Sequence, residues 1–389
     1  MTFTGVAMYD IQAEIAKDVS PIVSMISPAS VPFLDFIGDQ SLPIFGKSYS
    51  WDQKYLLPET FATSSAIAST AAASGGIEFG ANADLLRVGD VLRNRNNNEM
   101  IYVSSIGTSA ATIYVTRAYA GTTATSLAAG QTLDFLYSAI EEGSGPRSQR
   151  RRGKASLTNY AQTFREDIVI SNLANNTVME WQMAQSGRNG SYVSPYFEEL
   201  TDKTKEVLIQ LERAVLMGRT NGNTMGADDA ETTMAGIYNS ITATNIISHA
   251  TYTNSIVNAA IATIHNFTDV RDNADKYVMV CGDIAYRRVS NSREASVQRS
   301  ATGNDPGLAL PDMFLSDFGP MRLMPSRRVP TGSIMVLRKD FIKVRPYVGN
   351  SFQTRQYDDG TAAQKGYVEG TYGLEFHQLE AHARLDGLT

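Results

Sequence analysis

The stretch that most constrains this chain runs from Ser194 to Gly218, SPYFEELTDKTKEVLIQLERAVLMG. Ser194 is a natural N-cap, Pro195 suits the first helical position, and Glu198 and Glu199 place negative charge where the helix dipole favours it. Gly218 supplies the stop. Phe197, Leu200, Thr204, Val207, Leu208, Leu211 and Val215 recur at steps of three and four, so one apolar stripe runs along the rod. At 1.5 Å per residue the rod is roughly 35 Å long. Its stripe requires a flat apolar surface to cover it.

With 389 residues the chain is long for one core, and two or three compact units are expected. A hydrophobic content of 43% with 19% charged residues belongs to a folded chain rather than a disordered one. No run approaches 18 consecutive apolar residues, so no membrane span is expected. The first twenty residues lack a basic n-region and carry acids within their apolar pattern, unlike a signal peptide. A single cysteine, Cys281, excludes an intrachain disulfide framework. It lies in the apolar run Tyr277–Cys281 and reads as a small buried hydrophobe. A net charge of −6 does not advertise nucleic-acid binding.

Residues 1–45 read as an arm. Val6 to Val19 can form a short helix, after which Pro21, Pro28, Pro32 and Pro43 interrupt apolar patches that include Phe33 and Phe36. These patches cannot build a core alone and must be buried elsewhere, with a sister subunit as the candidate. Residues 61–76 are almost all Ala, Ser, Thr or Gly and read as a linker. Short strands at Met100–Ile106, Ile113–Arg117 and Leu133–Tyr137, separated by turn-formers, argue a small barrel or sandwich inserted at about 78–140. A second flexible stretch follows, through Glu141-Glu142-Gly143. Beyond the rod, a helix near 256–267, the strand Tyr277–Cys281 and a helix from Asp283 make residues 226–335 an α/β unit. Gly373 to Leu385 closes the chain as one long strand.

Arg147, Arg150, Arg151, Arg152 and Lys154 place five basic residues within eight. A salt-bridging strip against an acidic neighbouring subunit is favoured over nucleic acid, because the chain is acidic overall. Asp228, Asp229 and Glu231 form an acidic knot. Catalytic signals are sparse. Four histidines are scattered, and the densest group, Glu375, His377, Glu380 and His382, divides between the two faces of a strand. No phosphate loop, dinucleotide fingerprint, nucleophile elbow or CxxC pair is present. No enzyme, cofactor or metal site is expected.

The order of arm, excursion, amphipathic rod, α/β unit and returning strands resembles the major capsid proteins of tailed bacteriophages with the Hong Kong 97-type coat fold. The likeness is greatest to the family with a β insertion in its extended loop. It is carried by YAQTFREDIVIS (160–171), LIQLERAVLMGRTNG (208–222), YVMVCGDIAYRRV (277–289), FGPMRLMPSRRVPTGSIMVLRKDFIKVRPY (318–347) and YGLEFHQLEAHARL (372–385), and it spans nearly the whole chain. The stretch 115–133 is similar to β insertions of virion proteins.

The resemblance implies an α+β fold with an N-terminal arm (1–45) and an extended loop (46–165) carrying the β module. It also implies a peripheral domain (166–225 and 336–389) with spine helix 194–218, and an axial domain (226–335). It implies self-assembly into hexamers and pentamers of an icosahedral shell around double-stranded DNA, which is held only non-specifically. A portal at one vertex, a scaffold and a decoration protein are the further partners it implies, with assembly in the host cytoplasm. No scaffolding segment is expected before the arm, and the sparse lysines (Lys47, Lys54, Lys154) give no pattern for a Lys–Asn cross-link. The alternatives are a tail or decoration protein, and a hydrolase using Glu375, His377 and Glu380. Subunit contacts are expected at the five basic residues, the acidic knot, Phe33 and Phe36.

Overall fold

The computed structural model describes residues 31–38, 42–54, 57–67, 76–80, 83–107, 112–145, 150, 154–175, 195–221, 231–294, 313–358 and 360–389. The expected helix at 6–19, Ser194, Arg147, Arg151, Arg152, Asp228 and Asp229 lie outside these residues. The chain divides into a larger unit, Met1–Trp51 with Thr158–Thr389, and a smaller one, Asp52–Leu157.

A short helix, α1 (Pro32–Ile37), begins on Pro32 and ends at Gly38, whose φ of 73° only glycine adopts freely. Strand β1 (Ser48–Lys54) follows. The smaller unit is built from β2 (Thr60–Ala62), β3 (Gly76–Glu78), β4 (Asp90–Asn94), β5 (Met100–Ile106), β6 (Thr112–Thr116) and β7 (Thr132–Ser138). They form an antiparallel sheet in the order β2-β7-β4-β5-β6-β3. A bridge between Thr63 and Phe79, with Ser64 N–H on Glu78 O (2.9 Å) and Gly80 N–H on Ala62 O (3.0 Å), joins the outer strands. The sheet is therefore a closed barrel, which leaves no free edge. Ile101, Val103, Ile113 and Val115 alternate inward to fill it. Residues 61–67, within the stretch expected to be a linker, are thus part of the barrel. Phe61 is buried in the barrel core and Ile67 bridges Leu127, because closing the barrel needs two more short strands. Three-residue strands among Ala and Ser carry too little alternation to be read.

The buried carboxylate of Glu99 takes both Nε–H (2.5 Å) and Nη2–H (2.7 Å) of Arg117, and the Thr125 amide (3.2 Å). That bidentate pair holds the 117–125 loop, in which Ala118 and Ala120 adopt left-handed φ of 54° and 57°.

Strand β8 (Lys154–Tyr160) pairs with β1 in a two-stranded ribbon, and in the larger unit β9 (Gln162–Ser171) leads into α2 (Asn172–Asn175). The long rod is α3 (Pro195–Met217), followed by α4 (Ile237–Ser240), β10 (Ile246–Ser248), α5 (Asn254–His265), β11 (Tyr277–Cys281) and α6 (Asp283–Glu294). The remaining strands are β12 (Met313–Ser316), β13 (Gly319–Pro325), β14 (Ile334–Arg338), β15 (Ile342–Pro346), β16 (Gln353–Tyr357), β17 (Ala363–Phe376) and β18 (Ala383–Asp386). One sheet centres on β17, with β9 along one edge and β16 then β15 along the other. The second runs β10-β18-β14-β11-β13-β12.

Helix α3 lies on the first sheet, against β9 and β17. Its buried face is Tyr196, Val207, Leu211, Val215 and Leu216. Phe197, expected in the stripe, is 54% exposed, and Tyr196 takes the inward place. Strand β11 is a buried wall in the second sheet. Val278 and Val280 face the α3 core, while Tyr277, Met279 and Cys281 face a second core with α5 and α6. Burial pushes the Cys281 thiol up to about 12, which makes it an inert apolar group.

The final long strand of the sequence reading is broken. β17 ends at Phe376, Gln378 turns with φ 46°, and β18 joins the second sheet instead of the one under α3. His382 sits at this crossover, fully buried. Its Nδ1 accepts the Arg338 N–H and its Nε2–H donates to His377 O, both at 3.2 Å, which fixes the neutral tautomer. Burial, with the nearby Arg338 charge adding to it, depresses its pKa to about 3.

The α3 core also holds a charge that the sequence did not announce. Glu212 is fully buried and meets Arg328 Nη1 at 2.9 Å, with Arg328 only 5% exposed. Desolvation raises the Glu212 pKa, while Arg328 and the amides of Leu34 and Phe33 act against that rise. The carboxylate thus ties α3 to both α1 and the β13–β14 turn.

Arg328→Met leaves Glu212 unpaired and is expected to cost about 3–5 kcal/mol in denaturant unfolding, with Glu212→Leu in the same chain recovering most of the loss. At His382 the unfolded chain takes up a proton near pH 6.5 and the folded chain does not, so stability falls as pH drops from 6.5 toward 3. By pH 5 the expected loss is about 2 kcal/mol, and in unfolding measured at pH 7 and pH 5 on the unassembled chain His382→Gln removes that share.

Candidate functional site

The contact residues expected from the sequence meet different fates. Phe33 is fully buried in the chain's own core beside Ile37, so it presents no surface to a neighbour. Its segment is short, yet α1 packs on the rod and so finds a core within the chain. Phe36 is half-buried, its ring flanked by Lys339 Nζ at 4.8 Å and the Arg322 guanidinium at 5.3 Å. Arg150 is turned inward as well. It binds the buried carboxylate of Asp90 and lies 5.1 Å from the Phe135 ring. Asp90 also accepts from Ser138 Oγ (2.6 Å) and the Arg87 amide (2.8 Å), so Arg150 completes a site in its own module. Lys154 is exposed and 3.4 Å from exposed Asp52, a pair worth little in water. Glu231 is exposed.

The best constellation for chemistry is explained by packing. Burial pushes the Glu375 carboxyl upward, but hydrogen bonds from His377 and Arg345 outweigh it and hold the pKa below the usual carboxylate range. Arg345 also donates to Leu42 O and Pro43 O, both at 2.8 Å, and Ile44 bridges Tyr347 in parallel. Glu375 and Arg345 therefore clamp the end of the arm onto the edge of β15. Among the described residues no cluster of three or more His, Cys, Asp or Glu could hold a metal.

The clamp leaves apolar side chains in water. Leu42 is 69% and Phe45 75% exposed on either side of buried Ile44. Met313 and Leu315 project from the edge strand β12, and Tyr137 and Ile140 from the end of the barrel. Exposed apolar groups concentrated on extensions and edges mark binding surfaces. The sequence points to the arm but does not separate Phe33 from Phe45, because only the tertiary contacts of α1 distinguish them.

A hub that the sequence reading missed is Asn159 on β8. Its Nδ2 donates to Leu374 O (2.8 Å) and Ala235 O (3.2 Å), and its Oδ1 accepts the Ala235 N–H (2.9 Å). The ribbon is thereby pinned to β17 and to the segment after α3. One asparagine in a polar strand gives no sequence signal of this.

The sequence matches the family described as SU10 major capsid protein over residues 2–389. Comparison with curated proteins returns no match. Among solved structures, the cyanophage A-1(L) capsid asymmetric unit aligns over 99% of this chain and 100% of that one, at 11% identity and a TM-score of 0.53. Looser likenesses are to Microbacterium phage Oxtober96 (12% identity, 99% and 100% covered, TM-score 0.44) and the holo-SrpI encapsulin complex from Synechococcus elongatus PCC 7942 (10%, 98% and 96%, 0.48). The rod on its sheet and the two-faced second sheet are the Hong Kong 97-type coat fold, which here carries the barrel as an insertion. The family match across the chain makes the conclusion direct: this chain belongs to the SU10 major capsid protein family and is a coat protein of bacteriophage shells.

Proposed function

We propose that copies of this chain close into rings of five and six that build an icosahedral shell around double-stranded DNA, through contacts that repeat head to tail. Leu42 and Phe45 carry this reading: they are held in water by an arm clamped in place, where a neighbour can cover them. Each interface would remove on the order of 1,600 Å² of surface. In this scheme residues 46–165 act as the extended loop, residues 1–45 as the arm, residues 166–225 and 336–376 as the peripheral domain, and residues 226–335 with β18 as the axial domain. The chain's role is structural rather than enzymatic. A portal at one vertex, a scaffold and a decoration protein complete the particle, which assembles in the host cytoplasm. DNA is held without sequence preference, consistent with the net charge of −6.

Arg147, Arg151 and Arg152 are the proposed basic contacts, facing Asp228, Asp229 and Glu231 of a neighbour. Arg150 serves its own barrel and is set apart from them. Reversal of Arg151 and Arg152 to Glu is expected to abolish shells in electron micrographs while leaving the circular dichroism of the chain unchanged. Reversal of Arg150 is expected to lower thermal stability instead. Normal shells from the double reversal would refute the contact role.

A further inference from the structure

An open groove of about 550 Å³ runs between β9 and the C-terminal half of α3. Phe164 and Arg165 line one wall, and Gln210, Arg213, Ala214 and Met217 the other. Among the described strands β9 pairs only with β17, so its outer edge offers unpaired backbone groups along the groove. The charge here is unbalanced. Arg165 is engaged by Asp167 at 2.8 and 3.0 Å and stacks on Tyr367. Arg213 and Arg219 are exposed and have no acidic partner among the described residues. The carbonyls of Met217 and Gly218, which would repel a carboxylate at the helix end, are covered by Asn239 Nδ2 at 3.0 and 2.9 Å.

The complementary chemistry sits on the same chain. After β7, Ile140 is 63% exposed, and Glu141 and Glu142 are exposed with no basic partner among the described residues. One apolar side chain followed by two free carboxylates matches an edge with an apolar floor and two free guanidinium groups.

We propose that the Ile140–Glu142 segment of a second copy docks in the β9–α3 groove, with Glu141 and Glu142 against Arg213 and Arg219 and Ile140 over Met217 and Ala214. This inference rests on the chain's assembly with its own copies and adds where one contact lies. It complements the proposed basic strip, since Glu231 lies two residues before Thr233, whose Oγ1 donates to Arg219 O. The two proposed contacts thus adjoin, which would set the register between copies.

The test is charge exchange in the full chain, with shell yield read by sedimentation and electron microscopy beside the wild type. Arg213→Glu with Arg219→Glu is expected to lower yield by about tenfold or more, and so is Glu141→Lys with Glu142→Lys, because each defect repeats at every interface. All four changes together are expected to restore most of the yield. All these positions are exposed, and unchanged thermal unfolding of the unassembled variants shows that the fold is kept. Independently, Ile140→Cys with Met217→Cys should give disulfide-linked multimers on non-reducing gels, since the one native cysteine is buried. Normal shells from either pair of reversals, no rescue in the fourfold variant, or monomers alone on the gel would overturn the inference. Rescue of the arginine reversals only by another virion protein would also overturn it, by giving the groove a different occupant. A wild-type chain that forms no shell with its genomic neighbours present would overturn the coat reading itself, and this contact with it.

Discussion

Burial of the α3 stripe on the sheet of β9 and β17 is the constraint from which the rest of the larger unit follows. A rod of 23 residues exposes too much apolar surface to stand alone, and the sheet supplies Phe164, Ile168, Val368 and Tyr372 to cover it. The approach is close. The Tyr196 hydroxyl occupies the space that a Cβ at Gly366 would need, and a Cβ at Gly218 would collide with the carbonyl oxygens of Ala214 and Met234. Small residues at those two positions let the rod lie down on the strand and let the chain turn back at its end. At 25 cal/mol per Å², burying four or five large side chains yields several kcal/mol, of the order of a domain's whole net stability.

Polar groups then fix what the apolar contact leaves free. Glu212 and Arg328 lock the rod to α1 and to the second sheet, Asn159 locks the ribbon to β17, and Arg345 locks the arm to β15. A buried ion pair adds little net stability, but it tolerates few alternative arrangements. The result, within the larger unit, is an arm held at a set place on the sheet edge. A subunit that must repeat many times in one shell needs that definition, because an error at one contact propagates to the next.

Much of this was legible in the sequence. The rod, the apolar run of β11, the helices beside it and most barrel strands announce themselves by periodicity and turn chemistry. The order of these elements carried the resemblance to a coat fold. What the sequence concealed depends on contacts between residues far apart in the chain. Tyr196 and Phe197 are adjacent aromatics, and only the position of the sheet decides that the first is inside. Gly373 to Leu385 reads as one long strand, yet the left-handed turn at Gln378 moves its last strand into a different sheet. Arg150 reads as one of a basic cluster, while the buried Asp90 some sixty residues earlier claims it. Contact surfaces are the least legible part, since exposure is a property of the folded chain.

The subunit holds apolar side chains in water, and sister copies are proposed to cover them. Covalent footprinting of side chains, compared between the unassembled chain and intact shells, addresses it directly. Strong labelling of Leu42, Phe45, Ile140 and Leu315 in the free chain, falling sharply in shells, is the predicted result. Equal labelling of these four residues in both states would contradict the claim.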